Sequence, residues 1–209
     1  LKTTRPLNRQ AVFGDNQEDK HLAEIAETLK KYIKVPVIGV IEAGSVMAAE
    51  NTKNKKIAVI GTEGTIKSDA YAKEIKKHDK KIKCFSRACP LFVPLVEEGW
   101  LDNKVTEQII KIYLNDIVNK DIDTVILGCT HYPLLKNTIQ KVVGKKISII
   151  DSATAVAFEV QKLLKEQNLT NSTGKGSLAF FVSDSPEKFQ KLGSKFFNKK
   201  IINVTKVEI

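Results

Sequence analysis

From residue 35 onward, the hydrophobic and polar positions follow two alternating periods. Short runs rich in Val and Ile predict buried strands, and longer stretches with apolar residues three or four apart predict amphipathic helices between them. The predicted strands are 35–41, 56–60, 81–86, 124–128, 147–151, 177–182 and 201–207. The predicted helices are 44–51, 67–76, 91–98, 106–119, 133–142, 153–166 and 186–197. This alternation predicts an α/β fold with parallel sheets flanked by helices.

The first 34 residues do not share this pattern. Residues 1–20 show no clear period, and only residues 21–33 have the spacing of a helix. Farther along, residues 167–175 are mostly polar and contain Gly174, which predicts a loop.

The most informative segment is VILGCTHYPLL, residues 125–135. Three hydrophobic residues lead to Gly128, so the pattern predicts a buried strand that ends in a tight turn. Cys129 and His131 then lie at the carboxyl edge of the sheet, where open α/β sheets bind ligands. A helix that begins near Pro133 would point its positive end at the thiol and lower the thiol pKa. This placement indicates proton or acyl chemistry, and a small buried hydrophobic residue is the alternative interpretation.

A second segment, GTEGT, follows the predicted strand 56–60. Thr62 and Thr65 stand in a glycine-flanked turn before a helix, where hydroxyls and backbone amides can face an anion. Thr130 offers the same groups at the start of a later helix, although it can equally serve as the N-cap.

Composition narrows the classes of partner. The net charge of +10 suggests nucleic-acid binding. However, arginine occurs only at Arg5, Arg9 and Arg87, and no aromatic residues are interleaved with the lysines. Lysine-rich runs such as 76–81 are typical of solvated helix faces and turns, so we expect no nucleic-acid partner.

Localisation is predicted from what the sequence lacks. No apolar stretch is long enough to span a bilayer, and no signal-peptide pattern opens the chain, so we expect a cytoplasmic protein without a membrane partner. Three cysteines, an odd number without a regular framework, predict free thiols in a reducing compartment.

Two other kinds of site use the same residues. Four side chains are possible zinc ligands: Cys84, Cys89, Cys129 and His131. Structural zinc sites favour turn-rich knuckles, whereas Cys84 and Cys129 lie in or beside predicted strands. A cysteine hydrolase would pair Cys129 with His131, but residues two apart need not meet where a strand ends, and no Asn or Asp orienter is evident. We therefore expect no metal, and we expect Cys84 and Cys89 to be core residues.

VILGCTHYPLL resembles the second catalytic-cysteine motif of the glutamate racemases, which belong to the aspartate/glutamate racemase family. Similar segments follow the family order, namely VPVIGVIEAG, IAVIGTEGTIKSDAY, CPLFVPLVEEG and the tail FFVSDSPEKFQKLGSKFF. The resemblance covers roughly residues 35–209. Glutamate-type enzymes carry His after Cys-Thr, as His131 does here, whereas aspartate-racemase relatives usually carry Glu.

The resemblance implies a cofactor-independent isomerase that interconverts L- and D-glutamate for peptidoglycan synthesis and cell-wall biogenesis. It implies two pseudo-symmetric lobes. Residues 1–42 and 150–209 would form an incomplete first lobe, and residues 43–149 would form the second lobe with the CTH motif. Family members are often dimers, so a homodimer is expected by analogy.

The resemblance also assigns roles to residues. Two acid/base groups flank the substrate Cα, and Cys129 matches one of them. His131 would relay a proton and stabilise the thiolate, and Glu97 would tune this end of the site, with Glu98 as the alternative carboxylate. The substrate-binding candidates are Thr130, His131, Thr62 and Thr65.

The family's first cysteine, in a Cys-Asn-Thr motif, has no counterpart before Val35. The nearest match, Asp15-Asn16-Gln17, has no thiol. The sequence therefore predicts that this chain visibly supplies one of the two bases and racemises glutamate weakly or not at all. The alternatives are a catalytically impaired remnant that binds glutamate or another protein, and a related amino-acid racemase.

Overall fold

The computed structural model of the chain describes residues 11–13, 28–32, 34, 36–171, 174, 176–197 and 199–208. Compactness divides the chain into two units, Leu1–Gln167 and Asn168–Ile209.

Strands and helices alternate through the first unit. Its strands are β1 (Ala11–Phe13), β2 (Val37–Gly39), β3 (Lys56–Gly61), β4 (Lys83–Ala88), β5 (Thr124–Gly128) and β6 (Ser148–Asp151). Its helices are α1 (Val40–Asn51), α2 (Glu63–Ser68), α3 (Ala70–His78), α4 (Phe92–Glu97), α5 (Lys104–Val118), α6 (Lys136–Val143) and α7 (Ser152–Glu166). A 3₁₀ turn, Tyr132–Leu135, precedes α6, and residues 28–32 are helical.

Four of these strands form one parallel sheet in the order β4-β3-β5-β6. The register aligns Gly61 of β3 with Ala88 of β4 and with Gly128 of β5. Three strands therefore end at the same level, and the loops that follow them meet at one carboxyl edge. β1 and β2 form a separate parallel pair.

Apolar residues cover both faces of this sheet. Successive residues of a strand point to opposite faces, and the two main hydrophobic clusters divide β3 in this way. Ala58 and Ile60 belong to a cluster with α4, α5 and α6, while Ile57 and Val59 belong to a cluster with α1 and α3. The result is a layered arrangement in which the sheet is buried on both sides, as its continuous apolar strands require.

The second unit is smaller and aromatic. It contains β7 (Phe180–Val182), α8 (Pro186–Phe197) and β8 (Val204–Lys206), and the two strands are parallel. The Phe180 ring packs against those of Phe189 and Phe197, with centroids 6.0 and 5.8 Å apart. Gln190 of α8 donates hydrogen bonds to the Ile201 and Ile202 carbonyls and so anchors the chain before β8.

The prediction of an α/β fold with a parallel sheet is confirmed, and β5 and α8 have the predicted bounds. The predicted helix 67–76 is instead two helices, α2 and α3, because Asp69 adopts a left-handed conformation between them (φ 55°). α2 also begins earlier, since Thr62 accepts a hydrogen bond from the Thr65 amide and caps it.

The remaining differences concern the start of one helix, a strand that was not predicted and a helix that is only partly described. The predicted helix 133–142 begins as the 3₁₀ turn and becomes α-helical only at Lys136. β1 was not predicted, because a three-residue strand is too short to show a period. Of the predicted helix 21–33, residues 28–32 are helical, and residues 21–27 and 33 lie outside the described residues, as do Asp15-Asn16-Gln17.

The division into lobes at residues 43 and 149 stays a prediction. Within the part of the chain that the structure describes, none of the helices is both long and apolar enough to cross a membrane.

Candidate active site

Cys129 lies where the chain leaves the sheet, directly after β5. Its side chain is buried, with 4% of the residue exposed. The Tyr132 amide donates to the Cys129 carbonyl at 3.1 Å, so the chain turns immediately after the strand and enters the 3₁₀ turn. This geometry places the thiol at the carboxyl edge of the sheet, as the sequence predicted.

Glycine is required next to Cys129 and at the matching position of β3. A Cβ on Gly128 would lie 3.0 Å from the Ile60 carbonyl oxygen and 3.0 Å from Tyr71 Cε2. A Cβ on Gly61 would lie 2.9 Å from Thr65 Cγ2. The Gly61 contact is shorter than real Cβ atoms show, and the Gly128 contacts are tighter than nearly all real ones, so glycine lets these two strand ends pack closely against their neighbours.

The His131 imidazole lies beside the Cys129 thiol, and the Glu97 carboxylate lies beside the imidazole. The Sγ of Cys129 lies 3.9 Å from Nδ1 of His131, and Nε2 of His131 lies 3.6 Å from Oε1 of Glu97. Glu97 is the last residue of α4, and its side chain is more exposed than that of His131. The three predicted residues Cys129, His131 and Glu97 thus lie in a row, and the carboxylate that faces His131 is that of Glu97.

The loop after β3 supplies hydroxyls to the same edge. The hydroxyls of Thr62 and Thr65 lie 2.9 Å apart, and Thr65 Oγ1 lies 3.5 Å from the Gly128 carbonyl oxygen. Thr65 is buried and Thr62 is half-buried, whereas Thr130 is exposed on the neighbouring loop. Thr65 therefore reaches the strand end that precedes Cys129, and Thr130 follows Cys129 directly in the chain.

The other two cysteines are core residues, as predicted. Cys89 is fully buried after β4, where burial raises the pKa of its thiol to about 12. Cys84 lies on β4 and packs against the cluster of α1 and α3; burial also raises the pKa of its thiol. All three cysteines are free thiols. A protonated, buried Cys89 is inert at neutral pH, so Cys129 is the candidate for chemistry.

The zinc alternative has no geometric support. Among the described residues, which include all four possible ligands, no group of three or more His, Cys, Asp or Glu side chains is placed to hold a metal ion. The objection to a cysteine hydrolase was partly wrong, because the tight turn does bring Cys129 and His131 within 3.9 Å.

Sequence reasoning missed two residues at this edge. Asp151 and Ser152 end β6 and begin α7, beside the site. Asp151 accepts hydrogen bonds from the Thr154 amide and from Lys136 Nζ at 2.7 and 2.8 Å. Partial burial raises the pKa of Asp151, but these bonds outweigh that effect and hold the pKa below its usual value. An Asp-Ser pair after an apolar strand is an N-cap signal that the sequence offered.

Comparison with known proteins places this geometry in a family. The sequence model described as Asp/Glu/Hydantoin racemase matches residues 21–160. A glutamate racemase of Geobacter metallireducens is 43% identical over 184 residues, which are 88% of this chain and 68% of that protein. A glutamate racemase of Sulfurihydrogenibium sp. is 47% identical over 166 residues, which are 79% of this chain and 62% of that protein.

Among solved structures, the glutamate racemase of Francisella tularensis in complex with D-glutamate matches with a TM-score of 0.82 and 32% identity. The match covers 94% of this chain and 72% of that structure. The chain thus spans about two thirds of the length of the relatives it matches.

Proposed function

The chain belongs to the Asp/Glu/Hydantoin racemase family, and from this premise we propose that it is a glutamate racemase that abstracts and returns the α-proton of glutamate at Cys129. The observation that carries the proposal is the row of Cys129, His131 and Glu97 at the carboxyl edge of the sheet. The relatives named glutamate racemase and the structure with bound D-glutamate support the substrate.

The chemistry on one face of the substrate is a proton transfer. The Cys129 thiolate takes the proton from Cα, which leaves a carbanion on glutamate and a neutral thiol on the protein. Returning that proton to the same face regenerates the starting enantiomer. Delivery of a proton to the opposite face gives the other enantiomer, and this step requires a second acid on that side.

His131 and Glu97 support this transfer. His131 Nδ1 faces the thiol, and Nε2 faces the Glu97 carboxylate. An imidazole held between a sulfur and a carboxylate can take a proton from the thiol and stabilise the resulting ion pair.

The threonines suit the substrate carboxylates. Thr130 is exposed and Thr62 is half-buried, so both hydroxyls are accessible to a ligand, and Thr65 Oγ1 lies 2.9 Å from the Thr62 hydroxyl. His131 is a further candidate for substrate contact because part of its side chain is exposed.

Isotope exchange tests the proposal on the chain of 209 residues. The purified protein is incubated in D₂O with L-glutamate or D-glutamate, and deuterium at Cα is measured by mass spectrometry together with the enantiomer ratio. We expect exchange for one enantiomer faster than conversion between the two, with D- and L-aspartate as control substrates. No exchange with either glutamate would contradict the proposal.

The same experiment separates the alternatives. Full-rate interconversion would show that this chain provides both bases. Saturable glutamate binding without exchange would indicate an impaired remnant, and preferred exchange of aspartate would indicate a related racemase. The homodimer and the cytoplasmic location stay predictions, and light scattering of the purified chain checks the former.

A further inference from the structure

Tyr71 packs against the turn that carries Cys129. It lies on α3, its side chain is buried, and its ring fills a slot between two glycines. A Cβ on Gly128 would lie 3.0 Å from Tyr71 Cε2, and a Cβ on Gly44 would lie 3.4 Å from Tyr71 Cε1. The ring therefore contacts the residue that directly precedes Cys129, and it leaves no space for a side chain there.

The Tyr71 hydroxyl extends this contact through a hydrogen-bond chain. Ser152 Oγ lies 3.0 Å from the Tyr71 hydroxyl and 3.0 Å from the Leu127 carbonyl oxygen. A serine hydroxyl has one proton, and a carbonyl oxygen can only accept. Ser152 must therefore donate to Leu127, so Tyr71 donates to Ser152. The direction of both hydrogen bonds follows from this chemistry.

The two carbonyls that precede Cys129 are thus each held by a buried hydroxyl from another element. Ser152 of α7 holds the Leu127 carbonyl at 3.0 Å, and Thr65 of α2 approaches the Gly128 carbonyl at 3.5 Å. A satisfied polar network in the interior restricts the groups it joins. Gly128, which has the greatest backbone freedom of any residue type, is restrained on both sides.

We propose that Tyr71, acting through Ser152, is a positioning residue for Cys129. The ring and the hydroxyl chain hold the Leu127–Gly128 peptide and so set the direction in which the thiol points. The proposal rests on the proposed function, in which Cys129 is a base. Proton transfer depends steeply on geometry, since a displacement of 1 Å can reduce a rate by about a hundredfold.

The test compares two hydroxyl deletions with two matched controls. Tyr71→Phe keeps the ring and removes the donor to Ser152, and Ser152→Ala removes the link to Leu127. The control Tyr113→Phe makes the same change in a half-buried tyrosine of α5 that packs against Phe92. The control Ser45→Ala removes a buried hydroxyl for which no hydrogen-bond partner is found among the described residues.

Two readouts are measured for each variant, with thermal unfolding to establish that it is folded. The first is α-hydrogen exchange at saturating glutamate. The second is the rate at which iodoacetamide alkylates Cys129 as pH rises, read by peptide mass spectrometry so that Cys84 and Cys89 do not interfere.

We expect exchange to fall by about threefold to tenfold in Tyr71→Phe, as the loss of one hydrogen bond predicts, and further in Ser152→Ala. Alkylation of Cys129 at high pH should become at least about twofold faster in both variants, because a looser turn exposes the thiol. The controls should match the wild type in both readouts.

Two results would overturn the proposal: wild-type exchange and alkylation in folded Tyr71→Phe and Ser152→Ala, or equal changes in Tyr113→Phe. If the wild-type chain shows no exchange, the proposed function fails, and the alkylation profiles alone then decide the positioning role. If Ser152→Ala does not fold, Tyr71→Phe carries the test because it retains the ring in its slot.

Discussion

The two ends of β5 carry polar groups that are arranged in opposite ways. At the amino end, Asp123 accepts hydrogen bonds from the Thr52 hydroxyl, from the Lys53 and Asn54 amides and from the Thr124 hydroxyl, at 2.6–2.8 Å. At the carboxyl end, thiol, imidazole and carboxylate lie 3.9 and 3.6 Å apart.

This difference distinguishes a cluster that holds the fold from the cluster to which the proposed function assigns the chemistry. Asp123 accepts hydrogen bonds from four donors, and these bonds hold the loop that leads into β3. The three groups at the other end, Cys129, His131 and Glu97, are the acid/base groups of the proposed function. The same strand therefore anchors the fold at one end and, in the proposed function, carries the acid/base groups at the other.

Replacement of the thiol should have the largest effect and should be confined to the carboxyl end. We expect Cys129→Ser to reduce α-hydrogen exchange by at least about a hundredfold, because a serine hydroxyl is a far weaker base at neutral pH. Exchange is measured by mass spectrometry in D₂O. Cys84→Ser is the control and should retain exchange. Exchange at the wild-type rate in Cys129→Ser would show that Cys129 is not the base.

Replacement at the amino end should affect stability instead. We expect Asp123→Asn to lower the free energy of unfolding by about 2–3 kcal/mol, because an amide cannot accept all four hydrogen bonds. Urea denaturation at pH 7 measures this. Asp121→Asn is the matched control, since the Asp121 carboxylate is exposed and forms a surface ion pair with Lys56. Equal costs for the two variants would contradict the distinction.

The pH dependence of that cost follows from the Asp123 pKa. Partial burial raises the pKa of Asp123, but the hydrogen bonds from Thr52, Asn54, Thr124 and Lys53 outweigh it and hold the pKa below its usual value. Stabilisation from a depressed carboxyl pKa is complete above the unfolded pKa of about 4 and is lost as pH falls through the folded pKa. The difference between wild type and Asp123→Asn should therefore shrink below about pH 4.

Replacement of Glu97, the carboxylate that faces His131, should have a smaller effect than replacement of Cys129. We expect Glu97→Gln to slow exchange by about tenfold at neutral pH, because the substitution removes the carboxylate charge that faces His131 Nε2 at 3.6 Å. Stability should change by less than about 0.5 kcal/mol, since the side chain is largely at the surface. Glu98→Gln, one residue farther along, tests the alternative carboxylate with the same isotope assay. An equal or larger effect of Glu98→Gln would show that Glu98, and not Glu97, is the carboxylate that acts on this end of the site.

The smallest expected effect is that of a substitution on α1, the helix that runs between the two ends of β5. This helix carries Gly44 beside the Tyr71 ring and ends just before Thr52. Between them lies Ser45, whose buried hydroxyl serves neither end. We expect Ser45→Ala to be neutral or to raise the free energy of unfolding by up to about 1 kcal/mol. A loss of more than that in urea denaturation would reveal a bond that the structure does not show.

Much of the fold and part of the site could be predicted from local pattern. The β-branched runs specify β3, β5 and β6 because a strand buried on both faces must be continuously apolar. The CTH sequence after β5 identified the edge, since the chain must leave a parallel strand there. Thr62 was recognisable for the same reason, because a turn must follow β3 and a helix must begin.

Pairings between distant segments could not be predicted in this way. The choice of Glu97 over Glu98 depends on the orientation of α4 relative to the turn at His131, and the two carboxylates are adjacent in sequence. Ser152 lies 81 residues from Tyr71, so no local signal joins them. The break at Asp69 was also hidden, because Asp carries no glycine or proline signal for a left-handed residue between two helices.

The sequence by itself determined the family and the parallel α/β fold, and it selected Cys129 as the candidate thiol, because these depend on periodicity and on a short contiguous motif. Only the tertiary structure decided which carboxylate faces His131 and which hydroxyls hold the peptide before Cys129. These distinctions rest on burial and on distances between elements, which become defined only when the strands align side by side and their ends meet.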